Sequence, residues 1–87
     1  MQVNITFRHV EPSDALKDYA IERLQRLKKY FDGIVEGHVV LSLEKIRHMA
    51  ELTLAANGLR MNAKVEGADF HAVIDSVISK VERQLQR

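Results

Sequence analysis

Asn57-Gly58 lies between two alternating apolar runs, and this dipeptide constrains the fold more than any other feature of the chain. A two-residue Asn-Gly loop suits the type I′ turn, whose twist matches that of the strands it joins. Such a turn sets Ala56 opposite Leu59. The inward set Ala50, Leu52, Leu54 and Ala56 must then be met by Leu59, Met61, Ala63 and Val65. Those positions are apolar while Arg60, Asn62, Lys64 and Glu66 are not, as a register with one buried face requires. The hairpin therefore has one dry face, which other parts of the chain must cover.

Two amphipathic segments can cover it. Glu11-Pro12-Ser13-Asp14 supplies a helix start, with Ser13 or Asp14 accepting from free N–H groups of the first turn. Leu16, Ala20, Leu24, Leu27 and Phe31 follow at steps of three and four. Asp32-Gly33 is expected to end this helix, the glycine taking the left-handed conformation. A second helix is capped by Asp69 and carries Phe70, Val73, Ile74, Val77, Ile78, Val81 and Leu85 inward.

Residues 2–8 alternate, with Val3, Ile5 and Phe7 on one face, and residues 38–44 alternate with Val39, Leu41 and Leu43 inward. A polar turn over residues 44–48 joins this second strand to the third. The order is β-α-β-β-β-α, an α+β domain with a four-stranded mixed sheet. A right-handed crossover from the first strand to the second, followed by two hairpins, puts both helices on one face. They should run roughly parallel, with their C-terminal ends at one edge.

The 87 residues suffice for a single domain, and 46% hydrophobic with 29% charged residues marks it as globular. A domain of this size buries only about 60% of its unfolded surface, so modest stability is expected. With no cysteine, disulfides, thiolate metal sites and cysteine nucleophiles are excluded. His9, His38, His48 and His71 lack the i, i+4 spacing of a helical metal pair, no serine sits in a nucleophile-elbow sequence, and the four glycines form no phosphate-cradling loop. Neither catalysis nor a cofactor is expected. No apolar run is long enough for a membrane span and the N-terminus is not signal-like, so a soluble, cytoplasmic protein is expected.

The net charge is only +1, but its distribution is segregated. Arg23, Arg26, Lys28 and Lys29 fall in the last turns of the first helix, and Lys80, Arg83 and Arg87 in the last turns of the second. Lys45, Arg47 and His48 form another cluster on the turn at the opposite end, with Arg8 and His9 nearby. Complementarity to the helix dipole accounts for basic C-terminal turns on either helix alone, at about 0.3 to 1 kcal/mol per charge. It does not require two basic stripes side by side, nor explain the basic turn at the far end. Phosphate binding by counterion release does account for both. Tyr19 and Tyr30 read first as core-edge residues, with stacking on RNA bases as the alternative. The outer sheet face offers no aromatic pair for bases.

Read end to end, the chain resembles the ribosome hibernation-promoting factors, a family that includes the ribosome-associated inhibitor and sigma-54 modulation proteins. The likeness rests on Val3-Asn4-Ile5-Thr6 with His9-Val10-Glu11, on Leu27-Lys28-Lys29-Tyr30-Phe31-Asp32, and on Leu43-Glu44-Lys45 with His48-Met49-Ala50-Glu51. It continues through Asn57-Gly58, Gly67-Ala68-Asp69, Ala72-Val73-Ile74-Asp75 and Lys80-Val81-Glu82-Arg83-Gln84-Leu85. The resemblance implies a fold similar to double-stranded-RNA-binding domains. It implies binding to the small ribosomal subunit and its 16S-type rRNA in the mRNA channel near the decoding centre, over the A-site and P-site tRNA positions.

By position, the family's RNA-facing surface falls on Arg23, Arg26, Lys28, Lys29, Lys80, Arg83 and Arg87, with Lys45, Arg47 and His48 as loop contacts. His71 stands where the family usually has tyrosine and Phe7 where glycine is common. Ribosome dimerisation, an activity of longer members, is not assigned to these residues. A protein-interaction module, docking on a transcription factor or self-associating through its sheet, is the rival reading.

Overall fold

The computed structural model describes residues 1–86. Its elements are β1 (Gln2–Arg8), α1 (Asp14–Tyr30), β2 (Ile34–Glu44), β3 (Arg47–Ala56), β4 (Leu59–Gly67) and α2 (Phe70–Leu85). The sheet order is β1-β2-β3-β4, with β1 parallel to β2 and both hairpins antiparallel. Ala56 pairs with Leu59 and Ala50 with Val65, which is the register required by the Asn-Gly turn. Asn57 and Gly58 have φ of 51° and 77°, the two positive values of a type I′ turn.

Both helices lie on the apolar face. α1 contacts β1 and β2, while α2 contacts β3 and β4. Ala20, Leu24 and Leu27 from α1 and Val73, Ile74, Val77, Ile78 and Val81 from α2 are buried against Val39, Leu41, Leu52, Leu54 and Ala63. No polar or charged residue is buried among the described residues. The helix starts follow the sequence signals: Ser13 Oγ accepts from Leu16 N at 3.2 Å and Asp69 Oδ1 from Ala72 N at 2.8 Å.

Four local expectations are corrected. β2 begins at Ile34, whose side chain is in the core, and not at residue 38. Alternation is hidden there because the register shifts between Ile34 and Glu36, and because the inner position opposite Leu54 is Gly37. A Cβ at Gly37 would lie 3.4 Å from Leu54 and 3.5 Å from Leu24, so this glycine lets α1 settle close to the strand.

Gly33, by contrast, is not left-handed. α1 is capped by Phe31, where ψ is 84° and the backbone N–H still donates to Leu27 O at 3.1 Å. Gly33 is needed for space, because any Cβ would collide with the Asn57 side chain while Gly33 O accepts from Asn57 N at 3.1 Å.

The β2–β3 connection is only Lys45-Ile46. Arg47 pairs with Glu44 and His48 with Leu43, so these basic residues belong to β3 and not to a loop. Finally, Leu59 has the inner register but is 69% exposed, since the helix layer does not cover the first position of β4.

Two substitutions test this packing. Leu24→Ala, at a fully buried position, is expected to lower unfolding free energy by about 2 to 5 kcal/mol in urea titration. Gly58→Ala meets no neighbour within 4 Å, so its cost of about 1 kcal/mol is purely that of a left-handed residue with a Cβ. An unchanged urea midpoint for the latter would contradict the turn assignment.

Candidate nucleic-acid interface

The parallel helices are held in register by a polar clasp near their middles. Tyr19 donates its hydroxyl to Asp75 Oδ1 at 2.7 Å, and Arg23 Nη2 meets the same oxygen at 3.3 Å. The Tyr19 ring stands edge-on to His71 at a centroid distance of 4.8 Å, with the Arg23 guanidinium 5.9 Å from the Tyr19 centroid. His71 thus makes its aromatic contact within the helix pair.

The hydrogen bond to Asp75 raises the Tyr19 pKa above its ordinary 10.0, assisted by partial desolvation and the Asp75 charge, with Arg23 opposing. Further along, Arg23, Arg26, Leu27 and Tyr30 of α1 face Ile78 and Glu82 of α2 across a depression of about 160 Å³.

This pairing fixes where the basic side chains point. Arg23 and Arg26 line the seam between the helices, Arg26 also bonding Glu22 Oε1 at 2.9 Å. Lys28 donates to the Asp32 carbonyl oxygen just past the helix end. Lys29, Lys80 and Arg83 have no carboxylate within 4.0 Å among the described residues.

At about 100° per residue, Lys80 lies about 160° around α2 from both Ile78 and Glu82, on the side turned away from α1. Arg83 points outward between these directions. The cations therefore fan over the outer surface of the helix layer instead of forming two adjoining stripes, and acids from α2 face the seam. Arg87 lies outside the described residues.

At the opposite end, Lys45 is exposed at the hairpin tip with φ 57°. Arg47 makes a two-point ion pair with Glu66, Nε at 2.8 Å and Nη2 at 3.1 Å, with Glu44 at 4.0 Å. The hydrogen bond from Arg47 holds the Glu66 carboxyl below its ordinary range, and Glu66 raises Arg47 in return. Both side chains are about half exposed, so this pair contributes little to stability. His48 stands edge-on to Phe70 at 4.7 Å, and its Nδ1 is 3.2 Å from Ile46 O. Of the three basic residues predicted here, Lys45 alone is without such a partner among the described residues.

Two features were read only in part from the sequence. Arg8 and His9 share a depression on the open sheet face with Ser42, Glu44, Glu51 and Lys64, which only the strand pairing brings together. Tyr30 is 79% exposed and is no core-edge residue. The signal was present, since Tyr30 falls one position before Phe31 and so outside the apolar stripe, four residues after Arg26.

A family model described as sigma 54 modulation protein / S30EA ribosomal protein matches residues 3–87. The chain belongs to this family. The ribosome hibernation promoting factors of Salmonella typhimurium and Escherichia coli are each 41% identical to it over 87 residues, spanning 100% of this chain and 92% of theirs. A ribosome hibernation promoting factor of Pseudomonas putida is 39% identical, with 85% of its length covered.

A ribosomal subunit interface protein from Coxiella burnetii superposes with a TM-score of 0.91 at 26% identity, covering 99% of this chain and 94% of that one. The N-terminal domain of Thermus thermophilus Protein Y gives the same TM-score of 0.91 at 34% identity, covering 100% and 98%. The family read from ordered residues and the architecture read from periodicity thus agree.

The clasp yields a titration test. Because the Tyr19 value is raised in the folded state, its bond to Asp75 contributes stability present below about pH 10 and lost as pH rises through the raised value. In a Tyr30→Phe background Tyr19 is the one remaining tyrosine, and its tyrosinate absorbance should develop at higher pH than when Asp75→Asn is added. Coincident curves would contradict the bond.

Proposed function

We propose that this chain is a ribosome hibernation factor, a single ribosome-binding domain over residues 1–87 that silences translation by occupying the small subunit. In this reading it lodges in the mRNA channel near the decoding centre and covers the A-site and P-site tRNA positions. The observation that carries the reading is the outer helix surface, where Lys29, Lys80 and Arg83 lack acidic partners among the described residues. That surface belongs to a chain 41% identical, end to end, to ribosome hibernation promoting factors.

Cations already held by carboxylates release few counterions on binding phosphate, whereas unpaired ones contribute fully. Arg23 and Arg26 retain further N–H donors and add contacts at the seam, with Lys28 beside them and Lys45 as a separate contact at the hairpin tip. Arg47 and His48, already engaged, act by shaping that hairpin.

No bond is made or broken in this mechanism. A body with extents of 36, 23 and 17 Å excludes mRNA and tRNA by volume, while phosphate contacts hold it in place. The site of action is the cytoplasm, where idle ribosomes are. The rival reading as a protein-interaction module through the open sheet face draws less support, since the apolar side chains there are scattered and the polar ones pair locally. Thr6 Oγ1 meets His38 Nε2 at 2.9 Å, and Asn62 Nδ2 donates to Thr53 Oγ1 at 3.0 Å.

Co-sedimentation with purified small subunits tests the proposal. Wild-type protein should pellet with the subunit and be released as salt rises. Lys29→Glu, Lys80→Glu and Arg83→Glu together should weaken binding at least tenfold. Losing three contacts should also make the slope of log affinity against log salt shallower by about two units, at ~0.7 per contact. Equal pelleting of both proteins at moderate salt would overturn it.

A further inference from the structure

We infer that the cleft between the C-terminal halves of α1 and α2 is a subsite for one unstacked guanine of a bound RNA, with Tyr30 as stacking platform and Glu82 as hydrogen-bond acceptor. This rests on the RNA-binding reading above and adds a base-selective element to it.

The first observation is Tyr30, an aromatic ring left 79% exposed on the last turn of α1. A bare tyrosine beside arginines offers a π-face to any base and contributes nothing to the core. The second is the shape around it. Leu27 and Ile78, only 4% and 5% exposed, form an apolar floor, and Arg23, Arg26, Tyr30 and Glu82 stand around a depression of about 160 Å³.

The third is the charge of Glu82. It is half-buried and has no ion-pair partner within 4.0 Å among the described residues, although arginines line the same cleft. A purely phosphate-binding surface gains nothing from such a carboxylate, which would repel the ligand. A nucleobase with N–H donors reverses that sign.

Guanine presents N1–H and the 2-amino group side by side on its Watson–Crick edge, matching the two oxygens of one carboxylate. Uracil offers a single donor there, and adenine has an amino group beside an acceptor nitrogen. Arg23 and Arg26 are oriented by Asp75 and Glu22, at 3.3 and 2.9 Å. Each guanidinium has five N–H donors, so both keep some for the phosphates flanking an inserted base.

The test uses the full chain and short single-stranded oligouridines carrying one central guanosine, inosine, adenosine or uridine, with affinity read by fluorescence anisotropy. The guanosine oligonucleotide should bind on the order of tenfold more tightly than the inosine one, which lacks only the 2-amino group. Glu82→Gln should remove that preference without altering the salt slope. Tyr30→Ala should weaken all four on the order of tenfold, and Tyr30→Phe should restore them.

Equal affinity for the four oligonucleotides, or an undiminished preference in Glu82→Gln, would overturn the inference. So would 5′-GMP binding as tightly as the guanosine oligonucleotide, since the site would then serve a free nucleotide. Wild-type protein that co-sediments with small subunits yet treats the oligonucleotides alike would sink the cleft assignment and leave the ribosome-binding reading intact. Protein that binds neither overturns both.

Discussion

Parallel pairing of β1 with β2 is the constraint on which the rest of the molecule depends. The pairing of Asn4 with His38 requires a crossover, and the crossover is α1. Once β2 runs with β1, the two hairpins fix the directions of β3 and β4, and α2 must return alongside α1. Two parallel helices bring their carbonyl ends together, each equivalent to about half a negative charge. Cations at that end are therefore favoured by the fold, before any ligand is considered. What exceeds this preference is the outward placement of Lys29, Lys80 and Arg83 without acidic partners among the described residues.

The clasp of Tyr19, Arg23 and Asp75 makes the pairing of the helices specific. Apolar stripes alone would tolerate sliding of one helix by a turn, because Leu and Val contacts are similar in either register. A tyrosine hydroxyl and a guanidinium converging on one carboxylate oxygen at 2.7 and 3.3 Å do not tolerate it. The clasp therefore determines which side chains line the seam below it, including Tyr30 and Glu82.

The fold was legible in the sequence wherever side-chain period and turn chemistry pointed the same way. The Asn57-Gly58 turn and the apolar sets flanking it fixed a register that the structure reproduces. Legibility failed where a residue was chosen for the space it leaves. Gly37 erased the alternation of β2, and Gly33 was read as a helix cap although it only makes room for Asn57. In the site, residue types and helix ends were readable, but the direction of each cation was not. Whether Lys80 faces α1 or turns from it depends on which face of α2 meets its neighbour, a tertiary fact absent from one helix's own spacing. The commitment of Arg47 to Glu66 likewise depends on a cross-strand neighbour.

The alternation along β4 has one more effect, on how these molecules behave toward one another. β4 is one of the two edge strands, with one row of backbone groups unpaired within the sheet. An edge of this kind can template the addition of a strand from another chain. Arg60, Asn62, Lys64 and Glu66 alternate along it, and an arriving strand would have to crowd and partly dehydrate three charged side chains. The polar half of the pattern that sets the strand's register thus also works as a stop at this edge of the sheet, opposing edge-to-edge aggregation there.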